Sequence, residues 1–290
     1  MRLSELGELE LLAELERRGL ISGLDAEGAV LSDGQVVTQD TLVQDVHFRL
    51  EWTSWRDLGY KAAAVNLSDL AAMGAEPGGL LVSLSVPASE EADDVFELYE
   101  GLREAEVPVA GGDLTSSAIV SVTITAVGRS ERVPGRAGAQ PGDVLVVTGP
   151  LGASAAGLHA LAHGLEGFDE FVERHRRPPI RITEGKKLAR VAHAMIDLSD
   201  GIGIDAARIA ERSGCDVTIA ADDLPVAEGI DRVADLPFWT MGEDYELLAA
   251  LSPEDAAASG FFVVGRCDGP PDSSVSPEDL SGWDSFRYVE

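Results

Sequence analysis

The feature of this sequence that most restricts its possible folds is a set of aspartates that follow short apolar or glycine-bearing runs. They are spread along the chain, at Asp40, Asp69, Asp113, Asp197 and Asp200. Carboxylates that converge in a folded protein repel one another unless cations lie between them. If the fold brings these positions together, we expect Mg²⁺ ions between them and phosphate groups bound to those ions.

The charge balance restricts the partners of the chain. There are 51 Asp and Glu residues against 22 Lys and Arg, a formal net charge of −29 over 290 residues. A field of this sign repels nucleic-acid backbones and acidic membranes, so we predict neither as a partner. No apolar run approaches the roughly 18 residues of a membrane span. Cys215 and Cys267 form no disulfide framework, and we therefore predict a cytoplasmic protein.

The order of the predicted elements indicates two α/β or α+β domains rather than one doubly wound sheet. The predicted boundary lies in a stretch rich in Gly, Pro and Arg, which gives domains of residues 1–142 and 143–290. Periodicity and turn residues predict a first helix that ends at Gly19 and further helices over 54–73, 89–105, 153–163, 183–193 and 203–213. They also predict a hairpin over 28–40 and strands over 80–86, 107–110, 119–127, 143–148, 194–197, 215–219, 245–251 and 261–264.

Three motifs place acids beside backbone that can approach a ligand. Gly111-Gly112-Asp113 follows an apolar strand, and its glycines allow close approach. Asp197-Leu198-Ser199-Asp200-Gly201 ends a strand just before a helix, where anions are favoured. Gly242-Glu243-Asp244-Tyr245-Glu246 puts three acids at the start of a strand. Taken alone, these motifs also fit a turn, a helix cap and a charged hairpin entry.

In their order along the chain, the motifs closely resemble the thiamine-monophosphate kinase family. This family belongs to the superfamily of aminoimidazole ribonucleotide synthetase and selenophosphate synthetase. The resemblance runs from about residue 23 to the C terminus. It is carried by Asn-Leu-Ser-Asp-Leu-Ala-Ala-Met-Gly at 66–74, Gly-Gly-Asp at 111–113, Ile-Asp-Leu-Ser-Asp-Gly at 196–201, Gly-Glu-Asp-Tyr-Glu-Leu at 242–247 and Gly-Trp-Asp-Ser-Phe at 282–286.

The resemblance implies a fold, an activity and partners. The expected fold is the two-domain aminoimidazole ribonucleotide synthetase-like fold, with a dimerising N-terminal domain built on a mixed sheet and a C-terminal α/β domain. The implied activity is ATP-dependent phosphorylation of thiamine monophosphate to thiamine diphosphate, with several Mg²⁺ ions; a need for K⁺ stays open. The implied partners are ATP, thiamine monophosphate and a second copy of the chain.

Motif matching also implies three kinds of site residue. The metal positions are Glu27, Thr38, Gln39, Asp40, Asp69, Asp113, Asp197 and Asp200. The ATP positions are Tyr99, Gly112, Asp113, Arg136 and Ser199. The substrate positions are His47, Glu243 and Trp283. The ring of Trp283 suits stacking on a pyrimidine and attraction to a thiazolium cation, and Glu243 suits hydrogen bonds from an aminopyrimidine.

The expected chemistry needs no catalytic residue beyond the metal ligands. The attacking group is a phosphate oxygen that is already ionised near neutral pH. Neutralising and aligning two polyanions is therefore the main requirement, and we expect direct in-line transfer without a covalent enzyme intermediate.

The sequence departs from the family pattern at three places. Two adjacent acids of the family become Ala26 and Glu27, preceded by Asp25. Gln39 replaces the usual Ser or Thr, and Ser285 replaces a frequent His. The first two changes fall in one lobe of the expected metal site. Two alternatives to the kinase stay open, and the altered segment supports the first of them. One is a non-catalytic or weakly active paralogue that binds nucleotide or thiamine phosphate; the other is a different ATP-using synthetase of the superfamily.

Overall fold

The computed structural model describes residues 2–268, apart from the side chains of Leu9 and Ala221. These residues form two five-stranded sheets with helices packed against them. The helices are α1 (Leu3–Leu6), α2 (Glu8–Arg17), α3 (Trp55–Ala72), α4 (Ala92–Glu104), α5 (Ala153–His163), α6 (Asp169–Arg176), α7 (Ile182–Leu188), α8 (Ile202–Ser213) and α9 (Pro253–Ser259). The strands are β1 (Ala29–Val30), β2 (Gln35–Val43), β3 (Glu76–Val86), β4 (Val109–Ser116), β5 (Ser121–Arg129), β6 (Val144–Val147), β7 (Ala194–Asp197), β8 (Val217–Ile219), β9 (Leu247–Leu251) and β10 (Phe262–Cys267).

The first sheet is mixed, as expected for the N-terminal domain. Its strand order is β1-β2-β5-β3-β4, with β3 and β4 parallel and the other pairs antiparallel. Alternate residues such as Val36, Val82 and Ile124 face helices α3 and α4 and form a buried core. The opposite face leaves Leu81 exposed, and every residue of β4 is exposed at the sheet edge.

Helix α3 is buried on almost all sides because it lies between the two sheets. It packs on β2 and β5 of the first sheet and also contacts β7 and α7. Every residue from Lys61 to Ala72 is buried. Burying a polar side chain is costly unless it finds a partner. The polar residues of this stretch should therefore make specific contacts; they are Lys61, Asn66, Ser68 and Asp69.

The second sheet is antiparallel throughout and confirms an α/β C-terminal part. Its strand order is β7-β9-β6-β10-β8. The interior strand β9, between β7 and β6, is buried along its whole length, which explains its unbroken apolar sequence. Residues 29–129 supply the strands of the first sheet and residues 144–267 those of the second. The domain limits of 1–142 and 143–290 stay a prediction.

Most of the helices and strands predicted from the sequence are confirmed. The differences concern residues 111–113 and two helices that were not predicted. Ser54 caps α3, and its hydroxyl oxygen accepts a hydrogen bond from the Asp57 amide at 3.1 Å. The interpretation of residues 111–113 as a turn is wrong, because they lie inside β4. A side chain at Gly112 would overlap the carbonyl oxygen of Val82 on β3, so this glycine serves strand packing. Helices α6 and α9 were not predicted. Within residues 2–268, no helix combines the length and apolar character needed to cross a membrane.

Candidate active site

A cleft of about 1870 Å³ lies beside α3, and both halves of the chain line it. Thr38 and Asp40 reach it from β2, and Asp69 reaches it from α3. Asp197 and Ser199, at and just after the end of β7, line it from the second sheet. The cleft therefore collects acids that are far apart in sequence, as the aspartate pattern predicts.

Three carboxylates form a tight cluster in this cleft. One oxygen each of Glu27, Asp69 and Asp197 lies within 4.8 Å of the others. The Thr38 hydroxyl contacts the Asp69 carboxylate and lies 3.1 Å from the main-chain oxygen of Glu27. The Ser68 hydroxyl donates to Asp197 at 2.7 Å. A loop, helix α3 and strand β7 each supply one acid, so the cluster exists only in the folded chain.

The cluster is electrostatically unfavourable in the absence of a cation. Burial, with the charges of Asp40, Asp197 and Glu27, raises the pKa of Asp69 well above its ordinary value. Burial and the charge of Glu27 raise the pKa of Asp197 to about 8. Asp40 is open to water in the cleft but surrounded by protein on most sides, and this environment with Glu27 raises its pKa to about 6. A compact set of oxygen donors under mutual repulsion fits Mg²⁺.

Glu27 reaches the cluster although its sequence block is altered. Both carboxylate oxygens accept hydrogen bonds from the Arg136 guanidinium, one of them at 2.8 Å from Nε. Asp25 instead faces outward, 3.4 Å from Arg212. The altered segment Asp25-Ala26-Glu27 therefore still supplies one acid, Glu27, to the cluster. The Glu27 carboxylate also holds the Arg136 guanidinium beside the cluster.

Asp200 lines the cleft, but its carboxylate pairs with a neighbouring arginine. The Arg208 guanidinium lies 2.5 Å from Asp200 and donates to Asp205 at 2.8 Å. Asp205 is fully buried and accepts hydrogen bonds from the amides of Asp200 and Gly201. Burial raises the pKa of Asp200, against the opposing effect of Arg208. Asp205 thus shapes the turn that carries Asp200.

A second group of titratable side chains lines another part of the cleft. Glu243 and His47 both face it. Glu243 forms ion pairs with Lys61 at 3.0 Å and with His175 at 3.2 Å. The His47 ring accepts a hydrogen bond from the Val43 amide at 3.1 Å, and burial lowers its pKa. The structure therefore brings together the two predicted substrate residues that it describes.

The three acids of the Gly-Glu-Asp-Tyr-Glu block have different partners. Only Glu243 lies on the cleft surface. Asp244 is buried and accepts the Gly152 amide at 2.8 Å. Glu246 is fully buried and accepts hydrogen bonds from Arg174 and Arg181. In this block Glu243 faces the cleft, whereas Asp244 and Glu246 make buried hydrogen bonds that are structural.

Several predicted site residues lie apart from the cluster in a single chain. The Gln39 side chain accepts from Thr125 at 2.8 Å, on the sheet face opposite to Thr38. Tyr99 on α4 and the Gly112–Asp113 pair on β4 are not among the residues that line the cleft. Trp283 lies outside the described residues.

Four site residues were missed by the sequence analysis: Lys61, His175, Asp205 and Arg208. Lys61 had a usable signal, because it is a charged residue directly before the apolar run Ala62-Ala63-Ala64-Val65 of a helix. His175, Asp205 and Arg208 lie in ordinary amphipathic helices, where the sequence alone does not distinguish a cleft residue from a surface residue.

Comparison with known proteins places this geometry in a family. The model of the N-terminal domain of AIR synthase related proteins matches residues 25–130, and that of the C-terminal domain matches residues 140–260. Thiamine-monophosphate kinase of Rhodopirellula baltica is 38% identical, over 81% of this chain and 75% of that relative. The enzyme of the same name from Mycobacterium tuberculosis is 36% identical, over 98% of this chain and 93% of its own length.

The chain belongs to the thiamine-monophosphate kinase family. A solved structure described as "AaThiL complexed with AMPPCP and TMP" superposes with a TM-score of 0.90 at 31% identity, covering 98% of both chains. The two-domain fold of the family is therefore confirmed for this chain.

Proposed function

We propose that this chain transfers the γ-phosphate of ATP to thiamine monophosphate and so forms thiamine diphosphate. The observation that carries the proposal is the convergence of Glu27, Asp69 and Asp197 in one cleft with Glu243. One end of the cleft is suited to cations that hold phosphates, and the other is suited to an aminopyrimidine and the thiazolium cation attached to it. The relatives' name and the ligands of the similar structure support this choice of substrates.

The residues that would hold Mg²⁺ are Glu27, Asp40, Asp69 and Asp197, with Thr38 beside them. When bound, Mg²⁺ neutralises and aligns the phosphates of donor and acceptor. The buried hydroxyls of Thr38 and Ser68 orient the Asp69 and Asp197 carboxylates. Arg136, held at the cluster by Glu27, adds a fixed positive charge for the nucleotide. We propose Ser199, which lines the same cleft, as a further nucleotide contact.

The acceptor end is formed by Glu243 and His47. A carboxylate there accepts hydrogen bonds from the amino group of the pyrimidine and attracts the positive thiazolium. Trp283 is proposed to complete this end by stacking, as the sequence motif indicates. Since the acceptor phosphate is already ionised, the chain needs no general base, and we propose direct in-line transfer.

We further propose that two copies associate along the exposed edge of the first sheet at strand β4. Strand β4 is exposed along all eight residues, and Leu114 on it is 62% exposed. Leu81 on the adjacent strand is 44% exposed. A long edge strand with exposed leucines is a surface that native proteins normally cover. A second copy supplies that cover at the expected dimer interface.

Dimerisation also accounts for the site residues that lie apart from the cluster. The register aligns Asp40 on β2 with Gly112 on β4, across β5 and β3. Three strand spacings separate them by about 14 Å, too far for a shared ion. Tyr99, Gly112 and Asp113 all belong to the α4–β4 segment. We propose that this segment of one copy serves the cleft of its partner.

The test is a coupled assay for ADP release with ATP, Mg²⁺ and thiamine monophosphate. The proposal predicts release that depends on thiamine monophosphate and is lost by at least about 100-fold in Asp69→Asn. The exposed Asp222→Asn is the matched control and should retain full activity. A phosphoenzyme trapped from labelled ATP would contradict direct transfer.

A second candidate function has one observation in its favour. Both oxygens of Glu27 are occupied by Arg136, which competes with metal binding at that acid. A paralogue that binds the ligands without turnover is therefore the alternative. Calorimetry that detects tight binding of both ligands at saturating Mg²⁺, without ADP release in the coupled assay, would favour it.

A further inference from the structure

Lys61 is an unusual residue for the position that it occupies. The chain contains three lysines, and this one is only 1% exposed, in the middle of the buried helix α3. A buried ammonium group is tolerated only beside an anion or several acceptors. The side chain that contacts the Lys61 ammonium is therefore expected to be an anion or a set of acceptors.

That group is the Glu243 carboxylate. The Lys61 ammonium lies 3.0 Å from one carboxylate oxygen, and His175 lies 3.2 Å from the other. Among the described residues, the ammonium makes no hydrogen bond of good geometry, so this contact is an ion pair. Glu243 and His175 line the cleft, whereas Lys61 lies behind them.

The backbone at Glu243 is also constrained. Its φ of +57° lies in the left-handed region, and Tyr245 has a φ of +51°. Such conformations persist where the surroundings hold them. The Glu243 amide donates to the Ser199 carbonyl at 2.8 Å, and the Tyr245 amide donates to the Leu198 carbonyl at 2.9 Å. The loop is thus fixed to the segment that carries Asp197.

The electrostatics agree with this geometry. Burial alone would raise the pKa of Glu243, but Lys61 and His175 together hold it well below the ordinary value. Burial, and then the charge of Lys61, lowers the pKa of His175. The other titratable groups near Glu243 are His47, Asp244 and Tyr245. Lys61 is therefore the lysine that contacts Glu243 in this group.

We propose that Lys61 is a positioning residue that keeps the Glu243 carboxylate charged and directed into the cleft, where it accepts hydrogen bonds from the aminopyrimidine of the acceptor and attracts its thiazolium cation. The inference rests on the proposed function, and it adds a residue that never touches the substrate. Helix α3 then serves both ends of the cleft. Asp69 lies eight residues after Lys61 on the same helix, a rise of about 12 Å.

The test compares Lys61→Met, which keeps an unbranched side chain of similar size but removes the ammonium group, with the exposed Lys186→Met. Calorimetry measures the dissociation constants of thiamine monophosphate and of a non-hydrolysable ATP analogue in the presence of Mg²⁺. In Lys61→Met we expect acceptor binding to weaken about 10-fold or more, since the Glu243 carboxylate loses the ion pair that keeps it charged and directed to the acceptor. Binding of the ATP analogue should change less than about twofold, and Lys186→Met should match the wild type.

A pH series adds a readout that a purely structural role would not change. In the wild type, Glu243 stays ionised between pH 6 and 8, so its ionisation should not change the acceptor affinity over this range. Without Lys61, burial raises the pKa of Glu243, so acceptor affinity in Lys61→Met should fall further as the pH is lowered. Equal weakening of both ligands, or unchanged acceptor binding, would overturn the inference.

A second variant covers the case in which Lys61→Met does not fold. The double variant Lys61→Met/Glu243→Gln removes both charges, so that no unpaired ion remains buried. If Lys61 acts through Glu243, the double variant should bind the acceptor as weakly as Glu243→Gln alone. Additional weakening in the double variant would contradict the inference. A wild-type chain that binds no thiamine monophosphate would instead contradict the proposed function.

Discussion

The Ser68 hydroxyl donates a 2.7 Å hydrogen bond to the Asp197 carboxylate and so joins two distant parts of the chain. Ser68 belongs to α3, beside the first sheet, and Asp197 ends β7 of the second sheet. Both residues are buried. The carboxylate cluster therefore depends on the packing of α3 against the second sheet.

Loss of this bond should weaken the folded state. In Ser68→Ala a buried carboxylate loses a donor, and we expect the free energy of unfolding to fall by about 1–3 kcal/mol. Urea unfolding in the presence of a chelator measures the change. Ser4→Ala, at an exposed position of α1, is the control and should lie within about 0.5 kcal/mol of the wild type. An unchanged midpoint and slope in Ser68→Ala would show that the bond is not formed in solution.

Metal-free stability should fall as the pH rises. The pKa of Asp197 is raised from 3.8 to about 8 in the folded chain, and that of Asp40 from 3.8 to about 6. Between pH 4 and 8 the folded state then binds more protons than the unfolded state, so the free energy of unfolding decreases with pH. Thermal unfolding at pH 6, 7 and 8 in a chelator measures this slope.

Mg²⁺ should reverse that dependence, since it binds the ionised carboxylates. We expect the increase in melting temperature on adding Mg²⁺ to be larger at pH 8 than at pH 6. Asp197→Asn should reduce the metal-free pH slope, while the raised pKa values of Asp69 and Asp40 keep part of it. A slope that persists unchanged in this variant would assign the effect to other groups.

The Glu27–Arg136 pair should show strong coupling in a double-mutant cycle. Its side chains are 8% and 19% exposed. Arg136→Gln leaves Glu27 unpaired beside Asp69 and Asp197, and we expect a loss of about 3 kcal/mol in the free energy of unfolding. Glu27→Gln removes one repelling charge and should cost much less.

The double variant Glu27→Gln/Arg136→Gln should recover most of the loss, with a coupling energy of about 2 kcal/mol. Chemical unfolding without Mg²⁺ gives all four values. Additive losses would mean that Glu27 and Arg136 do not interact in the folded state.

Mixed dimers should show whether the partner supplies Asp113. Asp69→Asn and Asp113→Asn are each expected to be inactive as homodimers. If each cleft combines Asp69 of one copy with Asp113 of the other, a mixed dimer has one intact cleft. A co-expressed 1:1 mixture should then regain about a quarter of wild-type activity. Leu114→Glu, which places a charge on the exposed edge strand, should sediment as a monomer and show no rescue.

Local sequence patterns were sufficient to predict most of the helices and strands. Apolar periodicity and capping residues predicted α3 with its Ser54 cap, and the strand that ends in Asp197. Helix α6 was missed because Asp169–Arg176 is mostly charged and has only two apolar residues, Phe171 and Val172. Helix α9 was missed although Ser252 and Pro253 are a recognisable helix start. These differences concern single elements and leave the two-domain architecture unchanged.

The sequence by itself determined which acids are available, the family to which the chain belongs and the reaction class that follows. Only the tertiary structure decided which acids meet. Strand register and the sheet order β1-β2-β5-β3-β4 place Asp113 at the far edge from Asp40, and Gln39 on the opposite face from Thr38. The burial of α3 between two sheets gave Lys61 its contact with Glu243. Such contacts depend on long-range packing, and no local pattern of residues specifies them.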